Sequence, residues 1–397
     1  MNKTIPMILF WAFLSGALSA QSNINPDISL IGLFNTKTDF IKNSPEYHNL
    51  KFEMPDFELF IDGYLNPYSK AAANISFEGG KFSAEELYAE VLRGLPLDLQ
   101  IKAGKFLVGF GKINTQHPHA WPFLDRPLFH QVYFGPGGFN DIGVNFSLAL
   151  PTESFYSNLD LGVYNGDAIG ASELPNPDDA EALQTLRGTS PIFSGRLGTF
   201  FNLSDYSNLE LGLSSSYGIH AKLDFNSLNN GIFSTDKKSL PYLYTGLDFK
   251  YKYKPDSYTA FTLQGEALWN HRSVLRHQSF PGSLISEDYK TTINTAGAFI
   301  FADYLFSKQF SIGAKYDFTY GIVGDVASYS SLSNDDRNKT HGISEWFSYY
   351  PVEETLAVRL GLQHLFFSYA DGRTRDPETT VTLQMLFSLG PHKAHPF

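Results

Sequence analysis

Apolar and polar residues alternate through most of this chain with a period of two. In 310–321 (FSIGAKYDFTYG), Phe310, Ile312, Ala314, Tyr316, Phe318 and Tyr320 fall on one face, and Ser311, Gly313, Lys315, Asp317 and Thr319 on the other. Successive side chains of a strand point to opposite faces, so the segment reads as a strand with one apolar and one polar side. The pattern returns in 380–389, where Val381, Leu383, Met385, Phe387 and Leu389 oppose Thr382, Gln384 and Ser388. It returns in 259–270, with Phe261, Leu263, Ala267 and Trp269 against Thr262, Gln264, Glu266 and Asn270. In 243–253, Leu243, Leu247, Phe249 and Tyr251 oppose Asp248, Lys250 and Lys252.

A soluble sandwich also alternates, but its strands average about five or six residues. Here many run to about ten, the length that crosses a bilayer when tilted, and aromatics gather near the ends of the apolar face. The connections alternate in length. Short links fall at 68–70, 95–98, 205–207, 255–257, 307–308 and 351–354; long polar links fall at 35–55, 109–140, 167–190, 221–240, 272–293, 322–342 and 370–378. Short periplasmic turns and long extracellular loops mark an all-β, transmembrane antiparallel β-barrel. Sixteen strands are expected, starting near 27, 56, 71, 84, 97, 141, 158, 192, 208, 242, 259, 294, 309, 343, 355 and 379. The count is bracketed between 14 and 18, because only GGKFSAEE separates the third from the fourth. An even number leaves both termini in the periplasm.

Composition agrees with export to an outer membrane. Residues 1–20 (MNKTIPMILFWAFLSGALSA) carry Lys3, an apolar core and small residues, the layout of a signal peptide, with cleavage after Ala20 or after Ala17. The barrel then fills 21–397. No later run of 18 apolar residues exists to form a spanning helix, although 15% of the chain is aromatic. The absence of cysteine excludes a disulfide scaffold, a thiolate zinc site and a cysteine nucleophile. A net charge of −11 argues against a nucleic-acid partner.

If the apolar face meets lipid, the polar face lines a lumen. That face carries Glu58, Asp62, Glu78, Glu86, Glu90, Asp160, Glu210, Asp248, Glu266 and Asp317, together with Lys102, Arg196, Lys250, Lys252, Lys315 and Arg359. Charges of both signs in a barrel of this width imply water and a path for solutes, with a weak lean toward cations; paired charges filling a closed barrel are the alternative.

Loop 109–140 is far longer than a turn requires. Its apolar content (Trp121, Phe123, Leu124, Leu128, Phe129, Tyr133, Phe134) argues against disorder and for folding into the barrel mouth. Lys112, Asp125 and Arg126 are then expected at a pore constriction. The same loop holds QHPHAW (116–121). His117 and His119 suit either a locally hydrogen-bonded, proline-kinked loop or a weak zinc site completed by His130, Asp125 or a loop carboxylate; two histidines fall short of the three or four ligands zinc takes. His392 and His395 lie in the tail, at the opposite end of the barrel, and read as polar termini.

GKFLVGFGKIN, FLDRPL and GGFNDIGVNFS, within 104–147, resemble the strand–loop–strand of porin-like outer-membrane proteins related to the phosphate-selective porin O/P family. QHPHAW and the tail GPHKAHPF resemble a subgroup, some of whose members are named zinc-regulated outer-membrane receptors. The resemblance implies a barrel that admits solutes. Phosphate selectivity does not follow, because that family's pore depends on rows of arginine and lysine, which acids outnumber here.

No G-x-S-x-G or H-E-x-x-H motif is present, so an enzyme is not expected. The acidic stretches 176–179 and 333–336 read as solvated loop charges. The favoured expectation is a passive porin for small hydrophilic solutes or ions, in the outer membrane of a Gram-negative bacterium and without a cofactor. A substrate-specific or zinc-linked uptake barrel without an energy-coupled plug, and a structural or adhesive surface barrel, are the alternatives. Expected partners are the lipid bilayer and lipopolysaccharide, the barrel-assembly machinery, solutes and further copies of the chain in a homotrimer.

Overall fold

The computed structural model describes residues 26–42, 47–152, 154–170, 191–229, 232–279, 286–321, 338–352, 355–369, 372 and 374–390. The signal segment, the acidic stretches 176–179 and 333–336, and the tail histidines lie outside them.

The N-terminal strands are β1 (Asp27–Asp39), β2 (Leu50–Phe52), β3 (Asp56–Asn66), β4 (Ser69–Glu78), β5 (Lys81–Val91) and β6 (Gln100–Leu107). After the long loop come β7 (Asn140–Leu150), β8 (Tyr156–Tyr164), β9 (Ile192–Ser204), β10 (Ser207–Asn229) and β11 (Ile232–Tyr253). The last six are β12 (Ala260–Ser279), β13 (Ser286–Phe306), β14 (Phe310–Tyr320), β15 (Lys339–Val352), β16 (Leu356–Ser368) and β17 (Glu378–Leu389). All pairings between neighbours are antiparallel, and β1 closes the ring on β17 with Leu30 opposite Leu389 and Asp39 opposite Thr380. Sixteen strands form the barrel wall. The three-residue β2 extends that wall beside β1.

Closure follows from the solvent. Hydrocarbon offers no hydrogen-bond partner, so each backbone group must find one on a neighbouring strand, and only a ring leaves no edge. Register then sorts the side chains. Leu213 lies opposite Leu197 and Leu247, and Ile312 opposite Tyr304 and Phe347, all on the outer face. Leu247 and Ile312 are 62% and 55% exposed, values that belong to lipid contact rather than water. Aromatics gather at the short-turn end, where Phe306, Phe310 and Tyr349 stack in series.

Two expectations change. GGKFSAEE is not a loop: only Gly79 and Gly80, both at positive φ, separate β4 from β5. Phe82 continues the outer face opposite Phe77, and a bulge opposite Asn74 and Ile75 disguises the alternation. Likewise much of 221–240 and 272–293 is strand, since β10 to β13 run for 23, 22, 20 and 21 residues. The sequence of these extensions lacks the sustained apolar-polar alternation on which the period-two signal depends.

The apolar core lies inside the barrel, where the 108–139 loop packs on the wall. Gly297 of β13 marks the closest approach: a Cβ there would stand 2.2 Å from Cβ of Phe129. Gly297→Val is expected to retain the barrel, read as heat-modifiable migration on a gel, and to displace the loop at an overpacking cost of about 1–3 kcal/mol. Limited proteolysis should then cleave within 108–139; unchanged resistance would refute the contact.

Candidate functional site

The loop leaves β6, crosses the lumen and returns to the adjacent β7. Its sequence explains this path. Val108, Phe110, Ile113, Trp121, Phe123, Phe129, Tyr133 and Phe134 are too many apolar groups to leave in water, and each is buried inside the barrel. Burial of each large side chain contributes about 1.5–3 kcal/mol. Phe123 meets Phe301 and Trp346 edge to face, at 5.1 and 5.9 Å between ring centres. A short helix, α1 (Leu128–Phe134), stacks Phe129 on Phe299 at 5.9 Å. The Tyr133 hydroxyl donates to Thr295 Oγ1 at 2.7 Å.

Polar anchors fix the loop to three sectors of the wall. On β12, Glu266 accepts the backbone N–H groups of Lys112 at 2.8 Å and Ile113 at 2.5 Å, and lies 3.4 Å from His130 Nε2. On β14, Asp317 accepts the N–H of Leu128 at 3.0 Å, and Lys315 donates to the Asp125 carbonyl at 3.0 Å. Lys315 and Asp317 also pair with each other at 2.9 Å, both fully buried. Removing one partner of such a pair costs more than the pair contributes, because it strands a buried charge.

The third anchor is the His-Pro-His turn. Pro118 opens a single turn, Pro118–Ala120, and both imidazoles face β3 to β5 with their rings stacked 5.6 Å apart. His117 Nδ1 lies 3.2 Å from Glu58 Oε2 and 3.5 Å from Glu85 Oε2. Its Nε2 lies 3.2 Å from Glu86 Oε2, and His119 Nδ1 lies 3.4 Å from Glu58 Oε1. Burial disfavours charge on His117, but hydrogen bonds to Glu85 and Glu86 and the field of Glu58 outweigh it and lift its pKa to about 10. Burial drives His130 the other way, well below the ordinary histidine range, with Arg126 adding to the effect.

Each expected residue thus has a place. Every lumen-facing charge named from sequence lies on the inner face of its strand, from Glu58, Asp62 and Glu90 through Lys102, Arg196, Asp248, Lys250 and Glu266 to Lys315, Asp317 and Arg359. Arg196 grips Asp248 through two nitrogens, at 2.6 and 3.3 Å. Of the constriction residues, Lys112 pairs with Glu210, whereas Asp125 and Arg126 part company. Asp125 lines a recess with Ser344, Gln363 and Thr382, and Arg126 lies over Trp121 at 4.9 Å, in the field of Glu85, Glu78 and Glu58. The proposed trio of His117, His119 and His130 is not one cluster. His130 sits at Glu266 on β12, far around the ring from β3.

Sequence reasoning missed Glu85, Asn74 and Arg272. Glu85 is the extra residue of the β5 bulge, and alternation alone assigns such a residue to neither face. Asn74 reads as an ordinary polar strand residue. Arg272, fully buried, continues the inward even-numbered positions of β12 beyond Asn270.

A closed antiparallel barrel with an apolar outer belt and a charged lumen is an integral outer-membrane protein. Its solved relatives in fold are of that kind. The chain is similar to OprB of Pseudomonas putida (11% identity, TM-score 0.57, covering 96% of this chain and 97% of that one). It is also similar to the outer-membrane channel DcaP of Acinetobacter baumannii (11%, 0.56, 93% and 99%). An anion-selective porin from Comamonas acidovorans is a third (12%, 0.53, 92% and 100%). In sequence, the chain is 28% identical over 354 residues to an uncharacterized protein of Aquifex aeolicus, covering 87% of this chain and 70% of that one. No protein-family model matches.

The raised pKa of His117 sets a pH dependence. Relative to an undocked loop, the charged imidazole contributes its full stabilisation below about pH 6.5, and the contribution falls with rising pH until it is lost above about 10. Cleavage of the loop by an alkaline-tolerant protease should therefore accelerate across that window in the wild type. His117→Ala should remove this acceleration; an equal response in both proteins would contradict the assignment.

Proposed function

We propose that this chain is an outer-membrane porin in which the 108–139 loop narrows the lumen to a charged passage for small hydrophilic solutes and ions. The observation that carries this reading is the crossing of the lumen by a loop fixed at Glu266, Asp317 and the Glu58–Glu86 cluster. Such a fixed insert leaves a defined opening, where a mobile loop would leave a variable one. A sixteen-strand wall is wider than its own side chains fill. The similar DcaP and Comamonas proteins are a channel and a porin, which supports the reading. On the inner face of β3 to β6 and the loop beside it, Glu58, Asp62, Glu85, Glu86 and Glu90 outnumber Lys70, Lys102, Arg126 and the His117 imidazolium, so cations are the favoured ions. No step in this role requires an enzyme.

In planar bilayers the purified barrel should give stable open channels, and a potassium chloride gradient should give a reversal potential of cation-selective sign. No channels would refute the porin role; anion selectivity would refute the charge argument alone.

A trimeric assembly has its own support. Within the apolar belt of the wall, the register puts the carboxylate of Glu345 of β15 on the outer face. It lies opposite Ala314 and Leu362, between Ile343 and Phe347, in an apolar outer groove of about 690 Å³. A lone charge facing acyl chains is costly, and a second copy covering the groove would remove it from lipid. Ala314→Trp should fill the groove and shift the protein from trimer to monomer in detergent, measured by light scattering. A trimer that survives this change would place the interface elsewhere.

A further inference from the structure

Four polar atoms converge at the His-Pro-His anchor, with five of their six separations between 3.0 and 3.5 Å. Three are His117 Nδ1, Glu58 Oε2 and Glu85 Oε2, with His117 Nδ1 3.2 and 3.5 Å from the two oxygens. The fourth is Asn74 Nδ2, at 3.0 Å from Glu58 Oε2, 3.2 Å from Glu85 Oε2 and 3.4 Å from His117 Nδ1. A tetrahedral metal ion with nitrogen and oxygen ligands at about 2.0–2.1 Å needs ligand separations of about 3.3–3.4 Å. The five separations suit a centre of that radius, and the carboxylates of Glu58 and Glu85 come within 4.8 Å of each other. Proton-bearing groups, the Asn74 amide and the His117 imidazolium, hold the carboxylates together in this arrangement.

We propose that this cluster is a binding site for a first-row transition-metal dication of the zinc class, with Glu58, Glu85, His117 and Asn74 as ligands. A separate observation supports it. Asn74 is 1% exposed, yet its Oδ1 has no hydrogen-bond partner. Rotation of the amide by half a turn exchanges the two ends, bringing that orphaned oxygen to the fourth position as a ligand. The ion then replaces two donors at once, the amide N–H and the Nδ1 proton of His117, which is released to water.

The surroundings prepare His117 for the exchange. Its Nε2–H donates to Glu86, whose other oxygen accepts the N–H of Leu107 at 3.0 Å. A histidine holding its proton at Nε2 presents a bare Nδ1 to a metal, and a carboxylate behind the ring raises its basicity. His119 acts as a positioning residue: it holds the second oxygen of Glu58 and stacks on His117. One imidazole among oxygen ligands favours zinc-class ions over magnesium or calcium. Because Glu58, Asn74 and Glu85 belong to the wall and His117 to the loop, the ion would cross-link the insert to β3, β4 and β5 at the edge of the passage.

The test uses the full chain, refolded in detergent, with zinc chloride as probe in equilibrium dialysis and calorimetry. One zinc per chain is expected, unaffected by excess magnesium. His117→Ala and Glu85→Gln should weaken it at least tenfold. Asn74→Asp, nearly isosteric, supplies a carboxylate oxygen without the half-turn and should tighten it. His392→Ala/His395→Ala should leave it in place. Absence of zinc binding overturns the proposal, as does binding unchanged in all three site variants. Heat-modifiable migration of each variant establishes that it folds. Binding is read independently of conductance, so a conducting barrel without zinc affinity removes the site alone, and a zinc-binding barrel without channels removes the porin reading alone.

Discussion

The structure depends on one requirement: no backbone N–H or carbonyl can stay unpaired in hydrocarbon. Pairing of β1 with β17 meets it, and everything else follows from the ring so made. Once the ring exists, alternate residues are forced to opposite solvents, lipid outside and an enclosed lumen inside. The outer wall can then consist of leucine, isoleucine and phenylalanine without a second layer. Charged residues such as Lys250, Glu266 and Arg359 find an interior that, in a soluble protein, would be the hydrophobic core.

The loop reverses that reversal. Its aromatic residues build a conventional apolar cluster within a polar lumen, packed on inward-facing aromatics such as Phe299, Phe301 and Trp346. Those wall residues break the polar character of the inner face where the insert lands. The charged anchors do the complementary work. Glu266 reads the main chain at Lys112 and Ile113 as well as the His130 side chain, and Asp317 reads the main chain at Leu128. Hydrophobic contact determines that the loop is inside, while these directional bonds determine where it stops.

Much of this was legible in the residues. The period of two in 310–321 and 380–389 located strands and faces together, and the apolar content of 109–140 pointed inward. What remained hidden has physical reasons. A bulge shifts parity, so Glu85 could not be assigned a side and KFSAEE could not be recognised as strand. The extended ends of β10 to β13 lack the run of alternating apolar residues that a period-two reading detects. Closeness around a ring is set by strand order, not by sequence distance. His117 and His130, thirteen positions apart in sequence, therefore attach to different sectors, whereas His117 meets Glu58 from across two strands. The separation of Asp125 from Arg126 arises the same way, because neighbours on an irregular loop need not share a direction.

The loop's anchors lie far along the chain from the loop itself. Ile113 is held from 153 positions away and Leu128 from 189, so neither bond can form until the C-terminal half has entered the sheet. Contacts of such span are slow to form, since a long segment must be ordered first. The ring, meanwhile, is shut only when β17 reaches β1. The insert's seat is therefore assembled from both halves of the chain, and the loop cannot settle before β12 and β14 stand in the wall. Timing, and not only shape, is written into where Glu266 and Asp317 stand.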